Sequence, residues 1–209
     1  SYILARCDAD GRNLYLLSTA SEPEWLPTLL NDGRVIFSRW DYIDKALWRI
    51  QSLWTARQDG TRVETFWGNQ SVWPDHLAEA RPIPGSDRVM FTGVAHHDWF
   101  AGSIGILDPS KGRNFPHGLT KVTADVAWPE CGAPPLDPIE AADYHSAGKF
   151  DAYQTPYPLS EEDFLVSARR DGKFRLYLMD VHGNRELIYE GAHHVWHALP
   201  VKPRITPPA

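Results

Sequence analysis

Cysteine is scarce in this chain: its 209 residues include only Cys7 and Cys131. Two cysteines do not make a disulfide framework, and whether they pair with each other stays open at the level of sequence. Neither lies in a C-x-x-C or C-x-x-C-H motif, which excludes a zinc ribbon and covalent attachment of a c-type haem.

Long apolar runs and clusters of basic residues are also missing. No window approaches eighteen consecutive apolar residues, so no membrane span is predicted. The net charge of −6 and the absence of a Lys/Arg run argue against a nucleic-acid or anionic-lipid surface. P-loop, dinucleotide-binding and G-x-S-x-G motifs are absent, which removes the signatures of nucleotide-binding proteins and α/β-hydrolases.

Turn-forming and aromatic residues are abundant instead, with 17 prolines, 15 glycines and 9 tryptophans. Short β-prone segments separated by such residues are typical of all-β proteins. The turn glycines recur regularly, because Gly60 follows Gly11 by 49 residues and Gly112 follows Gly60 by 52. A second series, Gly33 and Gly85, has the same spacing of 52. A period of roughly 40 to 50 residues with about four strands is the mark of a propeller blade.

The pattern therefore predicts an all-β fold of about three to four four-stranded antiparallel blades, as part of a larger propeller. Hairpins centred on Gly11, Gly60, Gly112 and Gly183 belong to these blades, and an ordinary β-sandwich is the alternative. The blades occupy residues 1–200, with a Pro-rich insertion, interpreted as a loop, at about 124–158, and residues 201–209 form an extended tail. So few blades leave open sheet edges, which predicts self-association or completion by further chain.

Ordered segments between Leu29 and Tyr189 resemble the hydrazine synthase alpha subunit-like family, with TolB-like propeller repeats. The matching segments are residues 29–44, 51–55, 79–85, 96–97, 102–104, 107–109, 155–161, 164–167 and 178–189. The resemblance implies an extracytoplasmic, periplasmic location and a large multi-domain bacterial protein. In hydrazine synthase the alpha subunit carries c-type haems, but the lack of C-x-x-C-H here means that haem attachment does not carry over.

Two loops contain residues able to bind a ligand or a metal ion. His96, His97 and Asp98 combine imidazole and carboxylate, a suitable ligand set for zinc or another transition metal. The alternative is a pair of loop histidines that hydrogen-bond to backbone carbonyls. Asp41 and Asp44, which follow Trp40, are ligand candidates that could hold Ca²⁺, or else cap turns and pair with nearby cations such as Arg39.

These two loops follow equivalent strands one period apart, so they are expected to emerge at the same mouth of the propeller. The histidines His193, His194 and His197 are expected to be structural or exposed, and Trp25, Trp54 and Trp73 to pack in the core. The leading functional hypothesis is a non-catalytic module that binds a protein partner or another ligand. The alternatives are a fragment or relative of a multihaem redox subunit and a metal-dependent hydrolase or lyase.

Overall fold

A computed structural model describes residues 2–41, 51–71, 74–95, 101–129, 151–203, 206 and 208. These residues form fourteen β-strands and one 3₁₀ turn, Pro109–Lys111. A hairpin of β1 (Ala5–Arg6) and β2 (Tyr15–Leu16) comes first, and three four-stranded antiparallel units follow it. The first blade is β3 (Glu24–Leu29), β4 (Val35–Trp40), β5 (Gln51–Ala56) and β6 (Glu64–Trp67). The second is β7 (His76–Pro82), β8 (Val89–Val94), β9 (Ser103–Leu107) and β10 (Leu119–Lys121), and the third is β11 (Ala152–Pro158), β12 (Asp163–Arg170), β13 (Lys173–Asp180) and β14 (Arg185–Tyr189).

Strands pair in chain order within each blade, and the blades succeed one another as a row. A single parallel bridge, between Gln51 and His76, links the sheets of the first and second blades. The strand β7 contacts both β3 and β11, which makes these three the inner strands around a common axis. No helix among the described segments has the length and apolarity needed to cross a membrane. The prediction of an all-β fold built from propeller-type blades is confirmed.

Aspartate–glycine turns close the hairpins that the sequence predicted. Asp32 accepts a hydrogen bond from the Arg34 N–H at 3.0 Å, and Asp59 accepts one from the Thr61 N–H at 2.9 Å. The glycines that follow these aspartates, Gly33 and Gly60, have φ values of 87° and 83°, a region that glycine enters without steric strain. Local side-chain bonding and backbone freedom together fix these turns.

Apolar clusters fill the spaces between successive blades. Side chains alternate along β4, so this strand contributes to two clusters. Ile36 packs toward the second blade, whereas Val35 and Phe37 pack toward the β1–β2 hairpin. In β8, likewise, Phe91 faces the first blade and Met90 faces the third. Each complete blade is therefore held mainly by burial of apolar side chains against its neighbours.

Two expectations need correction. The hairpin around Gly11 has two strands, so it is an incomplete blade, not a four-stranded one. The interpretation of the whole Pro-rich segment as a loop is wrong for its last part, which is the inner strand β11. This strand tolerates proline because its register shifts between Gln154 and Tyr157, leaving Thr155 and Pro156 outside the ladder.

Candidate binding site on the inner strands

Each inner strand carries a β-bulge at the same place. The register with the second strand shifts just beyond Trp25, Ala78 and Gln154 in the three blades. The residues that follow are Leu26, Glu79 and Thr155, and their φ values are 55°, 55° and 53°. Such values are unusual for residues other than glycine, so the bulge is a repeated feature of the fold that reorients one side chain per blade.

A buried hydroxyl group lies opposite each bulge, on the second strand of the blade. Ser38, Thr92 and Ser167 pair with the residue just before the bulge, and they are at most 1% exposed. Ser38 donates to the Leu77 carbonyl of the next blade, and Thr92 donates to Glu79. These hydroxyls form a buried polar belt beside the inner strands.

Glu79 is the acidic centre of this belt. Its Oε2 accepts the Thr155 N–H at 2.6 Å and the Thr92 hydroxyl at 2.9 Å, so the carboxylate joins the second blade to the third. Its Oε1 has no hydrogen-bond partner among the described residues. Burial raises the pKa of the Glu79 carboxyl above its ordinary value near 4.5, against the opposing effect of the Thr155 N–H and the Thr92 hydroxyl.

The C-terminal segment covers the third blade beside this carboxylate. The His197 N–H donates to the Thr155 hydroxyl at 3.3 Å, and electrostatic interaction with His197 and Arg81 also opposes the raised pKa of Glu79. The Arg81 guanidinium lies over the Tyr157 ring, 5.5 Å from its centroid. The inner strands thus present one carboxylate flanked by a guanidinium, hydroxyls and an aromatic ring, a set that suits a polar ligand with hydrogen-bonding groups.

The Glu79→Gln variant is expected to be more stable than the parent only at pH values above those at which an ordinary carboxyl loses its proton. A raised pKa means that the folded state is most stable with Glu79 protonated, so stability falls as pH rises from about 4.5 through the folded-state pKa. Glutamine keeps an acceptor for both donors without the buried charge. The Glu79→Gln variant should therefore melt higher than the parent at pH 8, by about 2–4 °C for each kcal/mol gained.

That difference should shrink toward zero near pH 4, where the parent carboxyl is protonated. Thermal unfolding followed by circular dichroism across this range measures it, with the exposed Glu162→Gln as the matched control. Glu79→Ala removes the acceptor itself and should destabilise the fold by about 1–3 kcal/mol. A Glu79→Gln effect that does not change with pH would contradict the assignment of a raised pKa.

The predicted ligand residues Trp40 and Asp41 lie at the end of β4. Asp41 is buried and pairs with the Arg39 Nε at 3.0 Å, and Arg39 also approaches the buried Glu24 at 3.6 Å. Arg39 lies over the Trp54 ring, 4.7 Å from its centroid. Asp41 therefore makes the ion pair with Arg39 that the sequence left open as the ordinary alternative to a Ca²⁺ ligand, and its role as a ligand residue stays a prediction.

Asp44, His96, His97, Asp98 and Cys131 lie outside the described residues, so the predicted metal site stays a prediction. Within the described residues, no group of three or more His, Cys, Asp or Glu side chains is placed to hold a metal ion. Cys7 is exposed and carries a free thiol.

The other histidines and tryptophans singled out in the sequence differ in their hydrogen bonds and burial. His194 accepts the Phe174 N–H through Nδ1 at 3.1 Å, in keeping with the structural role expected for this histidine group. Trp25 and Trp54 are half-buried, and the Trp25 indole N–H donates to His76 of the next blade at 3.1 Å. Trp73 is outside the described residues. Among the described residues, the fully buried tryptophans are instead Trp67 and Trp128, which the sequence did not distinguish from the others.

A second feature is an open groove beside the incomplete blade. It has a volume of about 330 Å³ and lies between β1 and the inner strand β3 of the first blade. Leu4, Cys7 and Leu17 line one side, and Pro27 and Leu29 line the other.

Two solved proteins share this arrangement of blades. Kuenenia stuttgartiensis hydrazine synthase superposes on 86% of the chain with a TM-score of 0.64 at 15% sequence identity. The chain therefore has a propeller-type fold. TolB from Acinetobacter baumannii superposes on 91% of the propeller chain with a TM-score of 0.52 at 14% identity. The chain spans 21% of the hydrazine synthase chain and 38% of the TolB chain.

Both identities are low, so these likenesses establish the fold alone. No protein-family profile and no curated protein sequence matches the propeller chain. The likeness to hydrazine synthase and TolB is thus one of propeller-type fold, and no family or sequence match supports the more specific resemblance to the hydrazine synthase alpha subunit-like family.

The polar belt could have been found from the sequence. The second strands read Val-Ile-Phe-Ser from Val35, Val-Met-Phe-Thr from Val89 and Phe-Leu-Val-Ser from Phe164. Three apolar residues followed by a hydroxyl residue thus recur once per blade. The repeat is hard to notice because the third occurrence lies beyond the Pro-rich segment, out of step with the period near 52.

Proposed function

We propose that this propeller is an extracytoplasmic module that binds a protein partner, or the remainder of its own propeller, through its β1–β2 hairpin, without a covalent haem of its own. The observation that carries the proposal is the set of exposed apolar side chains on this hairpin, beside an open groove. Fold alone does not assign a function, so the argument rests on this surface.

The N-terminal apolar surface consists of Tyr2, Leu14, Tyr15 and Leu16, which are all more than half exposed. Leu16 belongs to the short strand β2 and Leu14 to the turn before it. Exposed apolar side chains on a short hairpin at the edge of a sheet mark sites of association with other polypeptides. A partner that covers this surface would remove apolar area from water, which is the main favourable contribution to protein association.

Two further arguments support the remaining parts of the proposal. The proposed extracytoplasmic location is supported by the resemblance of residues 29–189 to a family of extracytoplasmic proteins. The absence of C-x-x-C-H from the sequence excludes covalent haem attachment within these 209 residues.

Self-association of the purified chain tests the proposal, because a second copy can take the place of a partner at high concentration. Light scattering should show a mass above that of the monomer that increases with concentration. Tyr15→Ser combined with Leu16→Ser should shift the protein toward monomer, since it removes two exposed apolar side chains without emptying the core.

The matched control is Leu187→Ser, which alters an exposed apolar residue of β14 in the third blade and should leave association unchanged. A monomeric mass at every concentration, or equal effects of the two changes, would contradict a protein-binding surface on this hairpin.

A further inference from the structure

A buried carboxylate at the start of β3 has an oxygen atom without a hydrogen-bond partner. The side chain of Glu24 is 1% exposed, and its Oε2 accepts no hydrogen bond from any of the described residues. The cationic group that approaches it is Arg39, whose Nη1 lies 3.6 Å from Glu24 Oε1, beyond hydrogen-bond distance. A charge enclosed in this way destabilises a fold unless an opposite charge or several hydrogen bonds compensate it.

Arg39 does not supply this compensation, because Asp41 holds it more closely. The Arg39 Nε lies 3.0 Å from Asp41 Oδ1, and Asp41 is itself buried. Two carboxylates thus share one guanidinium, so the three side chains carry a net charge of −1 when both acids are ionised. One further positive charge would balance the group.

The fold itself does not require acidic residues at these two places. The residue before the bulge fixes the correspondence of the inner strands, so Glu24 of the first blade matches Leu77 of the second. Asp41 and Ala95 correspond likewise, since each directly follows the second strand of its blade. Leu77 and Ala95 are buried apolar residues. The second blade therefore fills the same layer without any charge, and the acids are particular to the first blade.

We infer that the Glu24 carboxylate binds a monovalent alkali cation, Na⁺ or K⁺, in this layer of the first blade. One positive charge balances the three side chains, whereas a divalent ion would leave an excess of positive charge. A side chain that is only 1% exposed is within reach of a bare ion, but an amino group carried by a larger molecule cannot approach it. Charge and enclosure together select a small inorganic cation.

Backbone carbonyl groups next to Glu24 are further oxygen ligands for such an ion. The Tyr2 carbonyl accepts the Glu24 N–H at 2.9 Å, and the Pro23 carbonyl accepts the Trp40 N–H at 3.1 Å. A carbonyl oxygen that accepts one hydrogen bond keeps a second lone pair, and carbonyl oxygens can replace the hydration shell of an alkali ion. Because Tyr2 leads into the β1–β2 hairpin, the cation would fasten this hairpin to the first blade.

Thermal unfolding in defined salts tests the site. The full chain is dialysed into choline chloride, and NaCl or KCl then replaces choline chloride at constant ionic strength. A bound ion stabilises the folded state, so the melting temperature should rise by a few degrees and level off as the site fills. Glu24→Gln should abolish this rise. Asp41→Asn should weaken it, because Arg39 can then pair with Glu24.

Glu64→Gln is the matched control. Glu64 and Asp32 also share one guanidinium, that of Arg34, but the side chains of this trio are at least one-third exposed. Water screens these charges, so the variant should keep the full rise with Na⁺ or K⁺. Glu24→Leu, which places the residue of the second blade in the first, is a second test. It should fold and melt at a temperature that does not depend on the alkali ion.

Two results would overturn the site: equal melting temperatures in choline and in both alkali salts, or an equal rise in the parent and in Glu24→Leu. Stabilisation by Ca²⁺ and by neither alkali ion would overturn the assignment of a monovalent cation. Self-association through Tyr15 and Leu16 is measured separately by light scattering. Failure of the cation site would therefore leave the proposed function standing.

Discussion

Replacing Trp128 with alanine is expected to lower the free energy of unfolding by about 3–5 kcal/mol, the range for large aromatic residues deleted from a core. The side chain is 1% exposed and belongs to the cluster between the first and second blades. Its ring stacks on Phe91 with 5.8 Å between centroids and an interplanar angle of 14°. Its removal would leave a cavity that the surrounding β-strands cannot close, because their backbones are fixed by hydrogen bonds.

Urea unfolding followed by circular dichroism measures the effect, and Trp196→Ala is the matched control. Trp196 is 50% exposed and packs at the surface against His194, so its loss should change stability far less. Equal losses for the two tryptophans would show that burial between the blades is not what makes Trp128 important.

The change Gly93→Ala is expected to destabilise the protein by about 1–3 kcal/mol or more, because the added methyl group meets the same indole. A Cβ at this position would lie 2.3 Å from Trp128 Cζ3 and 3.1 Å from the Pro74 Cβ. A fully buried ring cannot move aside without disturbing Phe91 and the rest of the cluster. Differential scanning calorimetry should show a lower transition temperature for this variant.

Gly191→Ala is the control, since a Cβ there would meet no atom closer than 3.0 Å. Combining Gly93→Ala with Trp128→Leu separates a steric clash from an intrinsic backbone effect. If the clash is the cause, the double variant should lose less stability than the two single variants added together. Strict additivity would place the effect in the backbone of Gly93 instead.

The parts of the fold that could be predicted from sequence are the hairpins whose folding is determined locally. Around Gly33 and Gly60, an aspartate that bonds two residues ahead and a glycine with positive φ specify the turn. Strands that follow such turns begin with three apolar residues, as in Val35–Trp40 and Val89–Val94. Both signals depend on a few adjacent residues.

The three inner strands were not predicted, for a common physical reason. Their bulges at Leu26, Glu79 and Thr155 break the alternation, and two of them place a proline immediately after the bulge. Their side chains face the channel or another blade, so burial follows long-range contacts and not the local pattern. Glu79 was not predicted as a site residue for the same reason. It is one of 27 acidic residues, and its hydrogen bond with Thr155 forms only when the third blade packs beside the second.

The order of the apolar clusters between the blades determines which part of the molecule unfolds most easily. One cluster joins the incomplete blade to the first blade, one joins the first to the second, and one joins the second to the third. Such a molecule is a short linear lattice in which every unit is stabilised by its neighbours alone. The second blade, which packs against a complete blade on each face, is the cooperative centre. The β1–β2 hairpin, attached through a single small cluster, is the unit that frays first and so exchanges most readily between free and paired states.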